Sequence, residues 1–101
     1  MHEPVRRPVV VVAEDDPIAM RIVAAELEAA GYQAVTCSDG IAALEYVAFG
    51  ERLDALVTDV HMPGSVDGLF LANEVRSLRP RLPVVYLSGR AVGDRAQVPR
   101  P

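Results

Sequence analysis

The 101 residues predict an α/β domain organised around a parallel β-sheet. Three observations carry this. Apolar, β-branched runs without polar alternation recur along the chain, the pattern of strands buried on both faces. Segments with helical apolar spacing separate them. The connections are short and hold helix-start and helix-stop residues.

The first run, Val9-Val10-Val11-Val12-Ala13, is the clearest buried strand. Asp16-Pro17 then opens a helix, with an N-cap acceptor before proline at the first helical position. Ile18, Ile22, Ala25 and Ala29 recur at helical spacing and predict its core stripe, flanked by Val23 and Leu27. Gly31 supplies the stop. A second strand follows over about Ala34 to Cys37. Ser38-Asp39-Gly40 starts another helix, with apolar positions at Ile41, Leu44 and Val47/Ala48, ending near Gly50. Ala55 to Thr58 is a third buried strand, running into Asp59. After the loop from His61 to Val66, Asp67-Gly68 begins a third helix with Leu71, Val75 and Leu78 on one face and Phe70 off it. Pro80 and Pro83 bracket its exit, and Val84 to Leu87 is a fourth strand. The order β-α-β-α-β-α-β implies right-handed crossovers. The domain is expected over residues 8–89. Residues 90–101 show no usable period and are expected to form an irregular or disordered tail.

Composition narrows the function classes. Half the residues are apolar and 24% are charged, the balance of a globular protein with one modest core. The longest purely apolar run, Val9–Ala13, is far short of the roughly 20 residues that span a bilayer. Met1-His2-Glu3-Pro4 does not read as a secretory signal. A single cysteine, Cys37, fits a reducing compartment, so a cytoplasmic location without membrane association is expected. A net charge of −4 argues against direct nucleic-acid binding, which needs clustered cations. All ten cations are arginine.

In open parallel sheets, ligands bind beyond the carboxyl ends of the strands. Glu14-Asp15-Asp16 follow the first strand, Asp59 follows the third, and Ser88 follows the fourth. Carboxylates packed together repel unless they are protonated or share a cation. A hard divalent ion such as Mg²⁺ suits oxygen ligands of this kind. Asp16 reads as the helix cap; Glu14 and Asp15 read as a metal site with Asp59, a solvated charge run being the alternative.

Three stretches together resemble the receiver (response-regulator) domain of two-component signalling. They are Val10–Pro17, Leu56–Gly64 with Asp67-Gly68-Leu69, and Val84–Gly89, in the family's order and each at a strand end. The resemblance implies a flavodoxin-like, doubly wound sheet of strand order 2-1-3-4. It implies that Asp59 is the phospho-acceptor, in a Mg²⁺-dependent transfer from a histidine kinase or phosphotransfer protein. Asp15 matches a direct metal ligand and Glu14 a ligand acting through water. His61 matches the residue that offers its main-chain carbonyl to the metal, and Ser88 matches the switch hydroxyl. On this resemblance the protein is not an enzyme, and its readout runs through protein contacts.

The chain departs from the family pattern at its end. A complete receiver continues into a fifth strand, tipped with a lysine, and a last helix. This sequence reaches Pro101 before either and contains no lysine. The expected consequences are an exposed edge on the fourth strand and uncovered apolar surface beside the first helix, and with them a homodimer through that edge, a strand or tail exchange between protomers, or marginal stability. A degenerate receiver, acting as a phosphorylation-independent interaction module, is the alternative reading. A Mg²⁺-dependent aspartyl-phosphate hydrolase is the third, opposed by the lack of a second carboxylate in Asp59-Val60-His61.

Overall fold

The computed structural model describes residues 6–50 and 52–87. Along the chain run β1 (Val9–Ala13), α1 (Pro17–Ala29), β2 (Gln33–Cys37), α2 (Gly40–Phe49), β3 (Ala55–Asp59), α3 (Gly68–Leu78) and β4 (Val84–Leu87). All strand pairs are parallel and the spatial order is β2-β1-β3-β4, the expected flavodoxin-like arrangement. Pairing of Val12 with both Thr36 and Val57 aligns the carboxyl ends of β2, β1 and β3. Ser88 and the 90–101 segment lie outside the described residues.

The two faces of the sheet are covered differently. On one, α2 and α3 bring Ala43, Val47, Leu71, Ala72 and Val75 against Val11, Ala13, Leu56 and Val84. On the other, α1 packs Met20, Val23 and Leu27 beside Val10, Val12, Ala55 and Val57. Val10, Val11 and Val12 are fully buried, which explains the unalternating run. Burying each stabilises the fold by about 1.5–3 kcal/mol before chain entropy is set against it.

Each helix starts on an aspartate. Asp16 Oδ1 accepts from the Ile18 amide at 3.1 Å, Asp39 Oδ1 from Ala42 at 2.8 Å, and Asp67 Oδ1 from Phe70 at 2.9 Å. Gly31, with φ of 98°, adopts the left-handed conformation that ends α1 cheaply.

The core stripe of α1 differs from the sequence expectation. Ile18 and Ile22 are 69% and 54% exposed, whereas Met20, Val23 and Leu27 face the sheet. At about 100° per residue the two sets sit on opposite sides of the helix. Both are apolar, so periodicity alone could not say which faces inward. In α3, Leu71 and Val75 are buried as expected with Ala72, but Leu78 is 51% exposed because the last turn runs past the end of the core. Phe70 is exposed, as its position off the stripe implied.

Candidate functional site

The carboxyl edge of the sheet brings three acids together. Glu14 directly follows β1, and its amide donates to the Cys37 carbonyl at 3.1 Å, extending the β1–β2 ladder by one step. This leaves Glu14 buried, at 6% exposure, while Asp15 turns out to solvent. Asp59 ends β3, half-buried, opposite Leu87 of β4. One carboxylate oxygen from each of Glu14, Asp15 and Asp59 lies within 4.8 Å of the others.

Local hydrogen bonds aim these groups. Glu14 Oε1 accepts from the Asp16 amide at 3.0 Å, so the turn into α1 orients the buried carboxylate. Asp59 Oδ1 accepts from the His61 amide at 3.3 Å, which ties the Asp59 side chain to the start of its loop. The His61 main-chain amide thus touches Asp59, and its side chain is exposed. Asp16 stays with its helix as a cap. Burial pushes the Glu14 carboxyl above its ordinary value, and the charges of Asp59 and Asp15 push it further, against the opposing Asp16 amide. A buried carboxylate held among like charges is an arrangement that a shared cation relieves.

The donor set fits a hard divalent ion. Mg²⁺ holds oxygens at about 2.0–2.1 Å, so opposite ligands of one octahedral ion stand about 4 Å apart, close to the spread found here. Such ions usually keep several waters, which suits two carboxylates binding directly and a third through water.

Two contributors were read from the sequence only as parts of their elements, without a role at the site. Thr58, fully buried, donates its hydroxyl to the Asp59 carbonyl at 2.9 Å and so satisfies its own polar group beside the acidic cluster. Gly68 opens α3 directly against Asp59: a Cβ there would run into the Asp59 carbonyl oxygen, and its amide donates to the Val60 carbonyl at 3.0 Å. A glycine after an aspartate cap is common, and only the fold reveals this close approach.

An acidic pocket at the carboxyl edge of a 2-1-3-4 parallel sheet, with one aspartate ending the third strand, is the arrangement of a class of phospho-signalling domain. Comparison with known proteins agrees. The model of the response regulator receiver domain matches residues 10–98, and the chain belongs to this family of two-component signalling domains. The sensor histidine kinase RcsC of Salmonella typhimurium is 35% identical over 88 residues, which are 87% of this chain and 9% of that protein. The chain thus spans about a tenth of the length of this relative. A response regulator receiver protein from Sinorhizobium medicae superposes with a TM-score of 0.79 at 30% identity, over 84% of this chain and 68% of its own. The response regulator TrrA of Thermotoga maritima, in complex with Mg²⁺–BeF, gives 0.76 at 27% identity, over 83% and 71%. Receiver domains are signalling domains that bind Mg²⁺ in an acidic pocket and interact with histidine kinases or phosphotransfer proteins. Among the described residues, no helix is long and apolar enough to cross a membrane.

Proposed function

We propose that Asp59 accepts a phosphoryl group from a phosphohistidine of a histidine kinase or phosphotransfer protein. An Asp59 carboxylate oxygen attacks phosphorus, the phosphorus–nitrogen bond to the donor imidazole breaks, and an acyl phosphate forms on Asp59. The carrying observation is the convergence of Glu14, Asp15 and Asp59 at one edge, with Asp59 only half-buried. Asp15, Asp59 and the His61 main-chain carbonyl are the assigned direct ligands of Mg²⁺, with Glu14 acting through water. When bound, the ion neutralises charge on the transferring group. The hydrogen bond from the His61 amide to Asp59 Oδ1 orients one carboxylate oxygen and leaves the other for attack. Ser88 is assigned the switch hydroxyl on family resemblance, within a domain spanning residues 8–89.

The output is through protein contacts in the cytoplasm. Among the described residues β4 pairs only with β3, and a homodimer through its outer edge belongs to the same reading.

Intact-mass analysis after incubation with acetyl phosphate and Mg²⁺ tests the transfer, with Asp59→Asn as the control. One phosphoryl group added to the parent and none to the variant is the expected result. A parent that binds Mg²⁺ yet gains no mass, and takes up no beryllofluoride, would instead be the phosphorylation-independent interaction module.

A further inference from the structure

The parallel sheet separates charge between its two edges. Beyond the carboxyl ends stand Glu14, Asp15, Asp16, Asp39, Asp59 and Asp67. Before the amino ends stand Arg6, Arg7, Arg52, Arg79 and Arg81, with Glu28 and Asp54 paired to Arg7 and Arg52. At the amino edge an open cleft of about 570 Å³ lies between the approaches to β3 and β4, lined by Leu53, Leu82, Pro80, Pro83, Arg79 and Arg81, with Asp54. Asp54 is already engaged, accepting from the Val9 amide at 2.7 Å and lying 3.6 Å from Arg52. The Arg79 guanidinium is anchored on the Val47 and Gly50 carbonyls at 3.0 and 2.9 Å. Arg81 is exposed and has no partner among the described residues. The cleft is therefore apolar in its walls and cationic at its rim.

The opposite edge carries a segment of matching chemistry. Asp15, Asp16, Pro17 and Ile18 are consecutive and all exposed, Ile18 at 69%. This turn presents two carboxylates and then an apolar side chain, which complements arginines beside leucine and proline. We propose that the arginine-lined cleft of one copy receives the Asp15–Ile18 turn of a second copy, head to tail. The contact is heterologous, joining different surfaces on the two partners, so it propagates rather than closing as a two-fold dimer. It is steered by charge and weakens with salt. Because it covers Asp15, assembly and cation loading compete for one edge, a consequence that rests on the metal-site reading above; the association itself does not.

Sedimentation velocity without Mg²⁺, at about 0.01–0.1 M salt where screening lengths run from about 30 to 10 Å, tests the contact. The parent is expected to grow with concentration beyond a dimer and to dissociate near about 1 M salt. Arg81→Ala disables the cleft by removing its free cation and Ile18→Arg disables the turn by setting like charges face to face; each alone should lower association about tenfold or more. Both positions are exposed, and far-UV circular dichroism checks that both variants stay folded. Mixed together, the two variants retain one live cleft and one live turn, so they should form a one-to-one dimer and nothing larger. Pairing through the β4 edge would give the same species in the mixture as in each variant alone. A parent that stays monomeric throughout, variants that assemble like the parent, or a mixture without the one-to-one dimer would each overturn the proposal.

Discussion

At the amino end of the sheet the charges are mostly mated, whereas at the carboxyl end they are crowded with their own kind. Glu28 accepts from the Ala34 amide at 2.9 Å and from Arg7 at 2.7 Å; Asp54 holds the Val9 amide; Arg79 closes the carbonyl end of α2. Across the molecule, Glu14, Asp15 and Asp59 share a few ångströms, and neither ion pair found among the described residues involves them. At one end the polar groups are paired within the fold, and at the other the acids stand crowded together. That division follows from parallel strands: all helix carbonyl ends gather at one edge, where arginines suit them, and all strand carboxyl ends gather at the other.

Loading the crowded end should give the largest effect. At about 100 times its dissociation constant, Mg²⁺ should stabilise the parent by about 2.7 kcal/mol and leave Asp59→Asn nearly unmoved, read from thermal unfolding with and without the ion. An equal rise in both proteins would erase the contrast between the two ends. Next, Arg79→Ala removes a charged donor from two α2 carbonyls and should cost about 2 kcal/mol in chemical denaturation, with Mg²⁺ affinity unchanged. Asp39→Ala, which removes the α2 cap, should cost about 1 kcal/mol.

The smallest effect, and the sharpest in sign, is the pH dependence. Glu14 has a folded pKa above its ordinary 4.5, because of burial and neighbouring acids. Its contribution to stability is complete below that value and is lost as pH rises through the folded pKa. Glu28 has a folded pKa below 4.5, through the Ala34 amide and then Arg7. Its contribution is present above that value and is lost as pH falls through the folded pKa. Denaturation free energies against pH, without metal, should therefore flatten on the rising side in Glu14→Gln and on the acid side in Glu28→Gln. Identical changes in the two variants would break the comparison.

The strands and the caps could be read from the sequence because their signals are local. Val9–Ala13 needs no partner to declare itself buried, and Asp16, Asp39 and Asp67 each bond within their own first turn. The carboxylate trio was also readable, since parallel topology sends the residues after β1 and β3 to one edge. What escaped depends on distant partners. Nothing near Arg79 announces that it will cap a helix some thirty residues earlier. The inward face of α1 escaped because Ile18/Ile22 and Val23/Leu27 are equally apolar, and the choice between them belongs to the sheet.

The loop from Val60 to Asp67 is pinned at its roots and slack at its tip. Near its far end Val66 presses on Gly40, and beyond it Gly68 presses on Asp59, leaving no room for one added methyl at either glycine. Gly64, at the tip with φ of 98°, has open space where a Cβ would stand. Pro63, Gly64 and Ser65 are therefore the natural place to graft a reporter fluorophore or a short epitope. Such a graft would sit beside the acidic pocket without shifting the backbone that aims Asp59.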